Sequence, residues 1–178
     1  GLRLPRFADA TSWFVGFNML DPVIGWGDTP EQRERNRKLR QAISIAFDWE
    51  EYSKIFPKTG GETAMSPLPK GIFGSRHGTP EGHNPVTHKL VDGKVVRRPV
   101  FWLGWLADYP DAENFLFLLY GPNGKTQHDG ENTANYANPE FDKLFGQMRL
   151  LDDGPEKRAV IDRMVAIVQH DAPWVFGY

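Results

Sequence analysis

Between Phe101 and Tyr120 the chain passes from a short apolar run, FWLGW, through the polar turn Asp108-Tyr109-Pro110-Asp111 to a second apolar run, FLFLLY, and that order admits few folds. An apolar run this short, bounded by a turn, reads as a buried strand. Asp111-Ala112-Glu113-Asn114 supplies an N-cap and an acidic first turn for a helix over Phe115 to Tyr120. A strand that hands over to a helix across one turn belongs to an α/β layer, in which helices cover a sheet. Asp108 then stands just past the end of the strand.

The rest of the chain alternates in the same way. Trp13 to Met19 has the period of a strand with one face more apolar than the other, and Asn18 falls on its polar side. Thr29 and Pro30 open a helix as N-cap and first residue, and its pattern continues to about Phe47. Glu31 to Lys38 reads as solvated, whereas Leu39, Ala42, Ile43 and Ala46 recur at the spacing of a buried helical face. Asp48 caps a short second helix that ends before Pro57. From Pro57 to Pro99 turn residues dominate, so the segment is either a flap at the edge of a site or a mobile excursion, with Ser66 to Gly74 expected to border the opening. Gly121 to Tyr136 reads as a polar loop. Asn138-Pro139-Glu140 starts a helix whose Phe141, Leu144, Phe145 and Met148 form a core stripe, and Asp153-Gly154-Pro155-Glu156 starts another, carried by Val160, Ile161, Met164, Ile167 and Val168. Pro173 ends that helix, and Trp174 to Tyr178 reads as a closing strand. No internal repeat is visible.

Several classes of function are excluded. A net charge of −2 and a pI near 6.2 provide no basic field for nucleic acid. Cysteine is absent, which removes disulfides, thiolate nucleophiles and Cys-ligated zinc, so the fold must stand on its core. His77, His83, His88, His128 and His170 are scattered, without the helical pairing that a zinc protease needs, and no metal is expected. There is no nucleophile elbow, phosphate-binding loop or dinucleotide fingerprint, and no cofactor is expected. No run approaches the length of a membrane span, and the first residues carry no charged-then-apolar leader. At 178 residues, 40% of them apolar and 25% charged, the chain makes one domain or one lobe.

Asp108 is the first candidate for chemistry. A carboxylate hemmed in by Trp105, Leu106 and Tyr109 is partly desolvated and favours a cationic partner, above all an amine. The plainer reading is that Asp108 caps its turn or accepts backbone N–H groups. Trp102 and Trp105 lie on opposite faces of the strand, and Trp105, nearer to Asp108, is taken as the one facing the ligand. A different class of function, a carbohydrate-active enzyme or sugar-binding module, would set Asp108 and Asp111 against a tryptophan-lined cleft. A third, a purely structural or interaction domain, rests on aromatic residues that look exposed.

WFVGFNMLDP, NRKLRQAISIAFDWEEY, SPLPKGIFG, GWLADYPDAENFLFLLYGPN, NYANPEFDKLF and the terminal DAPW occur in an order that resembles the extracellular solute-binding proteins of ABC transporters, family 5, which includes periplasmic dipeptide- and oligopeptide-binding proteins. The resemblance covers nearly the whole chain. It implies a non-catalytic receptor for peptides or similar amine-bearing solutes, in which residues 1–178 form the C-terminal lobe of a type II periplasmic-binding-protein-like fold, a mixed sheet covered by helices. By the same resemblance Asp108 pairs with a peptide α-amino group, Trp105 lines the side-chain pocket, Tyr109 packs beside it, and Asn18, the Asn that ends a family strand, is expected to bind the ligand with them. The implied partners are an N-terminal lobe of the same protein and the permease subunits. The receptor is expected to be a monomer, periplasmic or extracytoplasmic, held at the membrane by its transporter or a lipid anchor. Two departures stand out. A family segment of helix, strand and helix is missing between Val100 and Phe101, so residues 1–100 and 101–178 are expected not to adjoin in the natural chain. An N-terminal lobe is absent from these residues.

Overall fold

The computed structural model describes residues 10–55, 64, 66–76 and 100–177. Strand β1 (Thr11–Phe17) lies between β2 (Val100–Leu106) and β3 (Trp174–Phe176), antiparallel to both. In register, Thr11 faces Leu106 and Phe17 faces Val100, while Gly16 faces Trp174. Both ladders among the described residues are antiparallel. Strand–helix alternation does give the crossover it implies, because β2 and β3 run in the same direction. The antiparallel β1 is inserted between them, a split β-α-β arrangement. As the middle strand, β1 buries both faces rather than one, with Phe14, Val15 and Phe17 all removed from water. Phe14 stacks on Trp174 at 3.6 Å between ring centroids.

The helices begin where their caps place them. Helix α1 (Pro30–Ala46) has Thr29 as N-cap and a full capping box with Gln32, two reciprocal bonds that occupy otherwise unpaired N–H groups. Helix α2 (Trp49–Ile55) follows Asp48, whose Oδ1 accepts the Glu51 N–H at 2.8 Å. Beyond β2 come the single turns α3 (Glu113–Leu116) and α4 (Lys125–His128), then the longer helices α5 (Pro139–Met148) and α6 (Pro155–Asp171). Asn138 caps α5, accepting from Glu140 and Phe141 N–H. Phe141, Phe145 and Met148 face Ile161, Met164 and Val168 in the core, as the apolar spacing predicts.

Helix α1 overturns one expectation. Leu39, Ala42 and Ala46 are exposed, and the buried residues are Asn36, Arg40 and Ser44. Of the expected face only Ile43 packs against the core; for the rest, what lies beneath includes backbone carbonyls of the 22–25 turn and of the α6 terminus, which require donors. Arg40 gives two bonds to Asp171 O, at 3.0 and 2.8 Å, and one each to Ile24 O and Gly25 O, at 2.6 and 2.9 Å. Burial lowers its pKa to about 10, with the nearby Asp171 carboxylate opposing the shift. The Asp171 side chain, also buried, accepts from Tyr136 OH at 2.6 Å and from Asn138 Nδ2 at 2.9 Å.

Two expected loops also prove ordered. Within Gly121 to Tyr136, the buried Asn132 donates to Tyr120 O and Tyr136 O and accepts from Tyr136 N–H, binding both ends of the segment together. Ser66 to Gly74, expected as a flap, is docked on α6. Leu68 and Ile72 are buried, and Arg158 lies 4.7 Å from the Phe73 ring centroid. At Gly74, φ is +86° and an added Cβ would meet Ile161 Cγ2 at 2.7 Å, so only glycine allows this close approach.

Candidate functional site

Strand β2 delivers the site. Its exit is pinned beside the start of β1 by the Ala107 N–H, which donates to Ala10 O at 2.9 Å. The chain then bends through Asp108 to Asp111. The buried Asn114 holds this bend from below: its Oδ1 accepts both the Trp105 indole N–H, at 2.9 Å, and the Asp108 backbone N–H, at 3.0 Å. Asp111 holds it from the other side. Its Oδ1 accepts the Glu113 N–H at 2.8 Å, and its Oδ2 accepts from Lys157 Nζ at 2.9 Å. Lys157, whose side chain is 8% exposed, also reaches Asp153 at 2.9 Å. Burial works against its ammonium, but the hydrogen bonds to Asp153 and Asp111 outweigh that and leave its pKa raised.

The turn is therefore rigid at its backbone, while the Asp108 side chain is exposed and has no hydrogen-bond or ion-pair partner among the described residues. The plainer reading of Asp108 as a cap finds no support, because its carboxylate receives no N–H group from the described residues. The expected desolvation is corrected as well. Leu106 is 64% and Tyr109 45% exposed, so this chain provides one wall, and water reaches the carboxylate from the other side.

Trp105 is half-buried and turned toward α3, edge-on to Phe117 at 5.3 Å, so its indole props the turn as well as bordering it. Asn18 belongs elsewhere. It follows the far end of β1, whose first residue pairs beside the end of β2, and the strand rise puts it more than about 20 Å from Asp108. There it accepts the Leu20 N–H at 3.2 Å and the Asn135 side-chain amide at 3.4 Å, shaping a turn. The structure thus groups Asp108, Trp105 and Tyr109 and leaves Asn18 out.

Asp111 is not a free second acid, since both of its oxygens are engaged. The helix it was expected to cap is also shorter: α3 ends at Leu116, and a 3₁₀ turn takes over from Phe117 to Leu119. Sequence reasoning missed Asn114 and Lys157. The signal for Lys157 was its spacing from Asp153, one helical turn ahead; Asn114 was marked only as a polar residue at the head of an apolar run. His77, His83 and His88 lie outside the described residues, and His128 and His170 are exposed. Among the described residues no three His, Asp or Glu side chains are grouped to hold a metal. A separate cleft of about 320 Å³, bordered by Arg76, Asp162 and Gln169 between the docked segment and α6, does not include Asp108.

No family model matches the chain. It is 32% identical over 71 residues to the oligopeptide-binding protein OppA of Bacillus subtilis, a stretch that covers 40% of this chain and 12% of that protein. It is 27% identical over 88 residues to di/tripeptide-binding protein 4 of Pseudomonas aeruginosa, covering 48% of this chain and 16% of the relative. Among solved structures it superposes on the periplasmic binding protein DppA of Helicobacter pylori in complex with the peptide STSA, with a TM-score of 0.71 and 18% identity, over 94% of this chain and 41% of that one. The chain therefore has the fold of a periplasmic binding protein over part of such a protein's length. The resemblance read from its motifs is borne out by the peptide-binding proteins to which it is similar.

Proposed function

We propose that this chain is the C-terminal lobe of the substrate-binding component of an ABC transporter, a non-catalytic receptor that captures short peptides or similar amine-bearing solutes. One observation carries the reading: an exposed carboxylate, Asp108, stands without a partner among the described residues, on a turn whose backbone is tied by hydrogen bonds. Such a group is ready to accept a charge-assisted hydrogen bond from an ammonium at no cost in broken internal contacts. Tyr109 and the half-buried Trp105 supply apolar surface beside it. The similarity to peptide-binding proteins supports the same ligand class. On this reading the receptor works as a monomer outside the cytoplasm, at the membrane through its transporter or a lipid anchor. It closes an N-terminal lobe over the ligand and passes the ligand to permease subunits.

Calorimetry on the complete two-lobed protein with a panel of short peptides tests this. Asp108→Ala and N-acetylation of the peptide should each weaken binding at least about tenfold, the scale of one lost charge-assisted contact. Unchanged affinity in both arms removes the amine anchor. Peptide or glycoside hydrolysis would favour an enzyme instead, but the carbohydrate-active alternative has lost Asp111 to Lys157 and keeps one unengaged acid at this turn. We further take residues 1–100 and 101–178 as parts of one lobe that do not adjoin in the natural chain. An intact mass of about 20.2 kDa for the native protein would refute that.

A further inference from the structure

We infer that Asn114 is a positioning residue for ligand capture, fixing the Asp108 carboxylate and the Trp105 ring in one frame; this rests on the reading of Asp108 as an amine anchor. Asn114 is 2% exposed, so it does not meet a ligand itself. Its single oxygen accepts two donors that flank the site, the indole N–H at the end of β2 and the backbone N–H of Asp108. Each donor fixes one side of the candidate pocket. Lost together, they free the turn between Ala107, tied to Ala10, and Asp111, tied to Lys157.

The effect on a ligand is specific. Because the Asp108 side chain has no internal partner among the described residues, the space its carboxylate can reach is set by where its backbone stands, and its backbone amide is held by Asn114. A loosened turn places that charge less well against an ammonium. It has no such effect on a ligand that carries none. Asn114 therefore governs the preference for a free amine over a capped one, which a purely structural asparagine would not.

The test uses the complete binding protein and a randomised pool of short peptides, free or N-acetylated, with retention by the protein measured by equilibrium dialysis and mass spectrometry. The wild type should retain free-amine peptides over acetylated ones, and Asp108→Ala should abolish that preference. Asn114→Leu, similar in size but without an acceptor, should lower the ratio at least about tenfold, as small misplacements of a fixed charge do. Asn114→Asp keeps an oxygen for both donors and should keep most of the preference. If Asp108→Ala loses the preference while folded Asn114→Leu retains it, Asn114 has no positioning role and the amine anchor stands. If Asp108→Ala leaves the ratio unchanged, the anchor itself fails and this inference falls with it. Should Asn114→Leu be recovered unfolded, Asn114→Ser, polar but too short to meet both donors, is judged by the same ratio.

Discussion

Replacing Tyr136 by Phe removes one oxygen and little else. The ring is fully buried against Trp26 and Phe141, at 5.5 and 5.7 Å between centroids, and Phe fills the same space. What is lost is the 2.6 Å hydrogen bond to the Asp171 carboxylate, itself 7% exposed, which keeps Asn138 as a second donor on the same oxygen. A neutral donor to a buried charge contributes about 1.5–3 kcal/mol, so Tyr136→Phe should destabilise the chain by about 2 kcal/mol. The dependence on pH makes the reasoning sharper. Burial, reinforced by the Asp171 charge, pushes the Tyr136 hydroxyl far above its ordinary pKa of 10.0. A folded pKa raised above the unfolded value contributes stability that is complete below pH 10 and is lost as pH rises further. Above pH 10 the unfolded tyrosine ionises while the folded one does not, and stability falls by about 1.36 kcal/mol per pH unit. The phenylalanine variant lacks this loss. The difference between the two proteins should hold to about pH 9 and vanish about 1.5 units above pH 10. Urea unfolding followed by fluorescence and circular dichroism from pH 7 to 11.5 measures it. A difference below about 0.5 kcal/mol at neutral pH, or one that stays flat through pH 11, would show that the hydroxyl is not held as a donor to a charge.

Arg40→Met deprives Ile24 O and Asp171 O of the guanidinium, while Gly25 O keeps Asn36 as a donor at 3.1 Å. Two orphaned carbonyls at about 1–3 kcal/mol each predict a loss of roughly 2–6 kcal/mol by urea unfolding, against less than about 1 for Arg37→Met, whose partner Glu34 is on the surface. Lys157→Met leaves Asp111 and Asp153 without their shared cation and should cost about 1–3 kcal/mol, the lower range because both carboxylates are partly in water. Since the Lys157 pKa is raised, that difference is full below the unfolded lysine's 10.5 and fades as pH rises through the folded value, which unfolding at pH 8 and above pH 11 checks.

Local signals carried most of the architecture. Thr29-Pro30, Asp48 and Asn138-Pro139 each set a helix start because capping depends on residues within a turn of one another. The strand before Asp108 was legible for a similar reason, a short apolar run with a turn after it. What failed was inference about distant neighbours. Leu39 and Ala42 have the spacing of a buried face, but a helix turns inward whichever side its surroundings demand, and those surroundings are carbonyls contributed by residues 24, 25 and 171. Asn132 looked like one more loop residue because the two carbonyls it ties are sixteen residues apart, Tyr120 and Tyr136. Asn18 was placed with Asp108 as a likeness of motifs, whereas strand direction carries the two to opposite ends of β1.

The exposure of Asp108 bears on how a charge of this kind can select an amine at all. In water, a carboxylate and an ammonium 4 Å apart attract by about 1 kcal/mol, little more than thermal energy, and salt weakens that further. At the effective dielectric of a closed cleft the same pair gains about 4 kcal/mol. The difference of about 3 kcal/mol corresponds to about a hundredfold in affinity. A carboxylate already paired inside the lobe would be unable to make that gain, and one buried alone would resist ionisation before any ligand arrived. An exposed charge with no partner among the described residues, on a backbone tied by hydrogen bonds, avoids both penalties. On the proposed reading, selectivity for the amine then arises only when a second wall removes the water, and the fixed turn of Trp105, Asp108 and Asn114 ensures that the charge is correctly placed when it does.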